Sequence, residues 1–155
     1  MKLLNILCII AFVLFTGELA LAQDYSAWLE RCEPYRNQVM DILKSEGVST
    51  NYYYLMVAES KCRDKAESKA GAQGYWQLMP STSRHFGCLH PDNLECATKA
   101  AAKYIKSLEK RFKTFHEVIA AWNMGGHNYS RIGKKSAEAI GLIQRTMAIK
   151  KESER

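Results

Sequence analysis

The stretch Tyr52-Tyr53-Tyr54-Leu55-Met56-Val57-Ala58-Glu59-Ser60 decides how this chain is read. Seven apolar or aromatic residues run without interruption and end on a carboxylate. Ser49-Thr50-Asn51 just upstream supplies N-cap candidates, so the run reads as a helix buried on most sides. Burial disfavours the ionised form of a carboxyl and raises its pKa. The outward-pointing carbonyls of a helix C-terminus act in the same direction. Such a placement suits a protonated acid near neutral pH. A glutamate at a helix end can also curl out to solvent, and the run alone does not separate the two readings.

Around this stretch the 155-residue chain has length for one domain with a real core. Its first 22 residues read differently. Met1-Lys2 gives a positive start, Leu3 to Phe15 is apolar apart from Asn5, and Ala20-Leu21-Ala22 is a small-x-small cleavage site. This pattern predicts a secretory signal peptide over 1–22, cleavage after Ala22 and a mature start at Gln23. The apolar part is short for a spanning helix. Cys8 lies inside it after Leu7, with no small residue before it, and does not read as a lipid-attachment site. The expected location is therefore periplasmic or secreted.

The predicted mature chain keeps Cys32, Cys62, Cys88 and Cys96. An even count in an exported chain points to disulfides, with three possible connectivities. Cys88 and Cys96 could close a short loop, and Cys32–Cys62 would then tie the N-terminal segment to the region after Glu59. A zinc site on Cys88, His90 and Cys96 matches no common spacing, so no metal and no other cofactor is expected. The formal charge is +6, and loss of Lys2 and Glu18 with the signal leaves it unchanged. A basic exported protein suits an acidic extracellular polymer, although a solvated basic face explains most of these lysines. No nucleic-acid motif occurs and the lysines alternate with acids, which argues against a nucleic-acid partner.

Residues 25–47 carry helical spacing through Trp28, Leu29, Cys32, Tyr35, Val39, Ile42 and Leu43, with Gly47 as the stop and a break or kink expected at Pro34. From Glu95 to Phe112 an apolar stripe of Ala97, Ala101, Tyr104, Ile105, Leu108 and Phe112 faces away from Lys99, Lys103, Lys106, Lys110 and Arg111. A short turn of helix is expected before Phe86. A shorter helix spans Phe115 to Asn123, stopped by Gly125-Gly126. A last one spans about 136–150, with Ile140, Ile143 and Met147 inward and Leu142 a further candidate. No strand pattern is convincing. The class is mainly α: a single domain over 23–155, with its motifs concentrated in 52–126.

Several blocks occur in order: Glu59-Ser60, Ser68, Gly71-Ala72-Gln73-Gly74, Gln77-Leu78-Met79-Pro80-Ser81-Thr82, Ala100-Ala101-Ala102-Lys103-Tyr104-Ile105 and Ala120-Ala121-Trp122-Asn123-Met124-Gly125. Together they strongly resemble the lytic transglycosylase domain of the soluble type, a relative of goose-type lysozyme. The resemblance implies a lysozyme-like α-helical domain with a sugar-binding cleft. It also implies cleavage of the β-1,4 bond between N-acetylmuramic acid and N-acetylglucosamine in peptidoglycan glycan strands. In that family one glutamate protonates the glycosidic oxygen and then takes the proton of the C6 hydroxyl, which closes on C1 to leave a 1,6-anhydromuramyl end. Glu59 matches that glutamate. Ser68 matches a serine near it, where a hydroxyl stabilises the ionised form or simply makes a turn. Gln77 and Met79 match cleft residues, with core packing the alternative for Met79. Asn123 can reach N-acetyl or hydroxyl groups from a helix end, or simply terminate that helix. By analogy the partner is a secretion or conjugation apparatus, and a monomer is expected.

The residues themselves fit that chemistry. Ordinary glycosidases set two carboxyls across the scissile bond. No second carboxylate shares a motif with Glu59, and Glu67 lies in a polar stretch and reads as solvent-facing. An internal hydroxyl nucleophile removes the need for an activated water and gains from proximity. Two departures from the family stand out. Trp122 occupies the position of the usual tyrosine, and its indole N–H can donate but not accept; Tyr129 is a candidate substitute. Tyr75-Trp76 replaces the usual Leu-Met, and these rings either stack on sugar or pack in the core. The alternatives are a hydrolytic muramidase or chitinase on the same fold, and a non-catalytic glycan-binding component of a secretion apparatus.

Overall fold

The helix that carries Glu59 is the most buried of the described helices and opens outward at Glu59 alone. The computed structural model describes residues 24–132 and 136–155. The expected signal peptide and its cleavage point, with Cys8, lie outside the described residues.

Helix α1, Ser26–Ser45, buries Cys32, Val39 and Leu43 along one stripe. It runs through Pro34 without a break, contrary to expectation. Pro34 lies on the exposed face, where water can satisfy the carbonyl that its missing N–H leaves free. The chain then turns at Gly47 (φ +70°), which takes the left-handed conformation a helix stop requires. Ser49 Oγ accepts from the N–H of Asn51 (3.3 Å) and opens a 3₁₀ turn, Thr50–Tyr52. Helix α2, Tyr53–Ser60, follows, and every residue in it but Glu59 is buried. It stops because Lys61 and Cys62 both take positive φ, at 55° and 56°. A disulfide from Cys62 to Cys32 fastens that turn to α1.

A loop without regular strands carries the chain from Cys62 to Met79. Among the described residues, the only β pairing consists of two isolated bridges, Glu67 with Gln73 and Gln73 with Leu78. Helix α3 (Pro80–His85) starts on a proline at a position where the missing N–H costs nothing. The second disulfide, Cys88–Cys96, closes the short loop before α4. Both thiols are therefore committed and neither is free to ligate a metal.

Helix α4 (Leu94–Glu109) is capped by Asn93, whose Oδ1 accepts from the N–H of Cys96 at 2.9 Å. Its buried face is rich in alanine, with Ala97, Ala100, Ala101 and Ala102, and packs against α1. Helix α5 (Phe115–Met124) begins with a reciprocal cap between Thr114 and Glu117 and buries Val118 through Trp122. It ends at Gly125 (φ +77°), and α6 (Gly126–Ile132) follows at once. Helix α7, Ala137–Ser153, packs on both α2 and α5.

The inward residues of α7 differ from expectation only in part: Leu142 is buried and Ile143 packs half-buried against the core, as expected. Ala139, Leu142, Thr146 and Ile149 are buried, whereas Ile140 and Met147 are 44% and 38% exposed. The helix is rotated so that the stripe of Ala139, Leu142, Thr146 and Ile149, rather than that of Ile140 and Met147, faces inward in a helix that packs on α2 and α5. Thr146 can lie there because its hydroxyl donates to the Leu142 carbonyl at 2.8 Å. No helix among the described residues is long and apolar enough to cross a membrane.

Candidate active site

Glu59 stands on the wall of a cleft of about 300 Å³. The cleft is lined from four directions: by Glu59 on α2, by Ser68, Gln77, Met79 and neighbours on the loop and α3, by Tyr104 on α4 and Trp122 to Gly125 at the end of α5, and by Glu138 on α7. The residues come from stretches up to 79 positions apart, joined because α2 sits between α1, the 3₁₀ turn and α7.

The Glu59 side chain is half-buried, crowded by apolar neighbours with an edge on the cleft. Loss of hydration lifts its carboxyl from the ordinary value near 4.5 to about 7. The hydrogen bond from Trp122 and the positive charge of Arg145 pull it back down, and the negative charge of Glu138 pushes it further up. The indole Nε1–H of Trp122 donates to Glu59 Oε1 at 2.9 Å. A group poised this way is protonated for a large fraction of molecules at neutral pH and can both give and take a proton.

Trp122 is packed between two aromatic rings. Its ring lies 5.2 Å from that of Tyr104 and 6.0 Å from that of Trp76. Trp76 is itself fixed by donating from Nε1 to Thr98 Oγ1 at 3.0 Å, and Tyr104 is backed by Phe86 at 5.3 Å. Tyr104, placed by its sequence on an apolar stripe, thus also reaches the cleft.

The loop residues are set by backbone geometry. Gln77 takes a left-handed backbone (φ +48°), which is strained for a residue with a Cβ. Its Nε2 donates to the carbonyls of Ala66 (2.9 Å) and Gly74 (3.1 Å), which hold it in place. Both amide hydrogens are spent in these bonds, so Oε1 is the atom left to meet a ligand, as an acceptor. Gly74 (φ +73°) lets the loop pass close beneath Pro91: a Cβ there would meet the Pro91 carbonyl oxygen at 1.9 Å. Ser68 Oγ accepts from the Ala72 N–H at 3.0 Å, which tightens the turn and leaves the hydroxyl proton to be donated elsewhere.

Of the residues proposed from the sequence, Glu59, Ser68, Gln77, Met79, Trp122 and Asn123 all line this one cleft. Met79 is 42% exposed there, which separates it from a core methionine. Tyr75 is a correction. It is buried and sits edge-on to Tyr35 with ring centroids 5.5 Å apart, away from the cleft wall. Trp76 beside it is wholly buried behind Trp122. The pair packs inward because Gly74 turns the chain toward the core just before it. Tyr129 does not replace the missing tyrosine either: it is buried edge-on to Phe112 and is not on the cleft wall. Glu67 is exposed and outside the cleft.

Glu138 and Arg145 were not foreseen. They stand seven residues apart on α7 and so share one stripe of that helix. The Nε of Arg145 is buried with no hydrogen-bond partner among the described residues. A Glu and an Arg two turns apart on a helix ordinarily signal a solvated face, and only the packing of α7 against α2 reveals their relation to Glu59.

A mainly α domain of this kind, with a half-buried glutamate opening on a cleft between helices, defines a class. Residues 40–145 match the model of the transglycosylase SLT domain, and the chain belongs to that family, with its lysozyme-like helical fold. Among curated proteins it is similar to the membrane-bound lytic murein transglycosylase D of Escherichia coli K12 and to its counterpart from Escherichia coli O6:H1. Identity is 30% over 102 residues in each case, covering 61% of this chain. The match covers 23% of each relative, so the chain spans less than a quarter of the length of these relatives.

Proposed function

We propose that this protein is a peptidoglycan lytic transglycosylase acting outside the cytoplasm, with Glu59 as general acid and then general base. One observation carries the reading: in a domain of the transglycosylase SLT family, the single half-buried carboxyl on the cleft wall has its pKa raised to about 7. Protonated Glu59 delivers its proton to the glycosidic oxygen as the bond to C1 of the muramyl sugar breaks. The resulting carboxylate then takes the proton of the C6 hydroxyl as O6 bonds to C1, and no water is consumed. Gln77 Oε1 and Asn123 supply polar contacts for hydroxyl and N-acetyl groups, and the Ser68 hydroxyl donates into the cleft. Residues 23–155 act as one domain and as a monomer on glycan strands, with a secretion or conjugation apparatus the partner suggested by analogy.

Digestion of purified peptidoglycan tests this. Mass spectrometry should find anhydromuramyl ends, and Glu59→Gln should abolish them. Glycan binding without turnover would instead identify a binding module.

Glu138 favours a second reading, hydrolysis. It puts another carboxylate on the cleft wall, as two-carboxyl glycosidases require. Hydrolysis would give reducing ends heavier by one water, and their loss in Glu138→Gln would establish that route.

A further inference from the structure

We propose that the Trp122 indole confines the proton of Glu59 to one carboxyl oxygen, so that Oε2 alone releases the proton and receives it back. The inference deepens the proposed activity where it assigns steps, but the confinement itself rests on this chain's own geometry.

An indole N–H donates and has no lone pair to offer. Its bond to Glu59 Oε1 at 2.9 Å therefore needs a lone pair on that oxygen in both protonation states. In a carboxylic acid the carbonyl-type oxygen is the better acceptor, so Oε1 keeps carbonyl character and the proton goes to Oε2. No described residue hydrogen-bonds Oε2, and Glu59 lines the cleft, so this is the oxygen a ligand meets. A tyrosine hydroxyl at position 122 could rotate and accept, which would allow the proton on either oxygen. Tryptophan removes that choice.

The indole cannot yield, because Tyr104 and Trp76 hold it from two sides and it is 7% exposed. The charged groups that act on Glu59 are Arg145 and Glu138, both on α7; Tyr104 on α4 and the Ser68 and Gln77 side chains from the loop are neutral at working pH. None of these is a hydrogen-bond partner of the carboxyl in the structure, so the indole alone orients it.

In the reaction, the Oε2–H bond breaks as the proton passes to the glycosidic oxygen and the C1–O4 bond opens. The same Oε2 then takes the C6 hydroxyl proton as the O6–C1 bond forms. Oε1 remains bonded to the indole throughout, so the carboxyl does not need to turn between the two steps.

The test follows the Trp122 indole N–H by ¹⁵N NMR, assigned by its absence in Trp122→Phe. Its resonance should move downfield with an inflection near pH 7 as Glu59 ionises, and Glu59→Gln should remove that inflection. The N–H should stay protected from hydrogen exchange at pH 5, where Glu59 is protonated. Loss of protection below the inflection would place the proton on Oε1 and overturn the proposal, as would a resonance indifferent to pH. On peptidoglycan, Trp122→Phe should lower kcat about 10-fold to 100-fold through misorientation, with KM little changed and the pH limb moved upward. A rise in KM with kcat unchanged would make the indole a sugar-binding surface and also overturn it. NMR behaviour as expected with no anhydromuramyl product would leave the confinement standing and sink the activity instead.

Discussion

Glu138, in the first turn of α7, shares a cleft with Glu59 at the end of α2 and pushes the Glu59 carboxyl further toward its protonated form. Arg145, two helical turns further along the same stripe, opposes it. One helix thus brings both signs of charge to bear on the acid, and the balance between them is open to direct change.

Glu138→Gln removes the negative neighbour, so Glu59 should ionise at lower pH. The limb of kcat/KM against pH that reports Glu59 in the free protein should move down. Arg145→Met removes the positive neighbour and should move it up. Matched pH–rate profiles on peptidoglycan check both directions, and limbs that coincide with the wild type would show that neither charge reaches Glu59 effectively.

With Glu59 as the acid, kcat/KM should be retained below about pH 7 and fall as pH rises through that value. A profile that instead rises through this range would mean that the ionised carboxylate is the form that starts the reaction.

The same shift affects stability. A folded-state value of about 7 against an ordinary 4.5 means the native state binds more protons than the unfolded chain between these pH values. This contribution to stability is therefore fully present below about pH 4.5 and is lost as pH rises through about 7. Glu59→Gln lacks the penalty and should be more stable than wild type by about 1–3 kcal/mol at pH 8.5, the upper part of that range being reduced by cleft water. The difference should shrink toward pH 4.5. Urea denaturation of both proteins at the two pH values measures it.

The two disulfides should differ in their consequences. Cys32–Cys62 spans 30 residues and its loss should cost about 3–4 kcal/mol by loop entropy, against about 2–3 kcal/mol for Cys88–Cys96, which spans 8. Only the first anchors the turn that follows Glu59. Paired serine variants, compared by denaturant midpoint and by turnover, should show kcat falling in the first pair and holding in the second at temperatures where both are folded.

Gly74→Ala should be damaging although it adds one methyl group. The new Cβ meets the backbone of Pro91 and the residue keeps an unfavourable positive φ. We expect a loss of about 1–3 kcal/mol and weaker binding of a glycan fragment, because Gly74 also accepts from Gln77. Thermal unfolding and calorimetric titration with a chitooligosaccharide check the two effects.

The boundaries of the helices were close to readable because they rest on local chemistry. Ser49, Asn93, Thr114 and Ser136 each accept from a backbone N–H at a helix start, and Gly47 and Gly125 stand at ends. Pro34 and α7 show the limit of such reading. A proline on an exposed face leaves its helix unbroken, and a helix with apolar residues on two faces does not announce which one packs. Short α6 was missed because Gly125-Gly126 reads as a stop.

By itself the sequence determined that a carboxyl would stand near the end of an apolar helix, that the chain would be mainly α, and that one ordered set of residues would line a cleft with Glu59. These follow from neighbours a few positions apart, where periodicity, capping and motif spacing act. Only the tertiary structure decided that Tyr75 and Tyr129 turn into the core, that Glu138 joins the cleft, and that the Trp122 indole meets one oxygen of Glu59. The reason is physical: a pKa and a hydrogen bond depend on distance and solvent in three dimensions, and the rotation of α7 and the path of the loop after Cys62 set both.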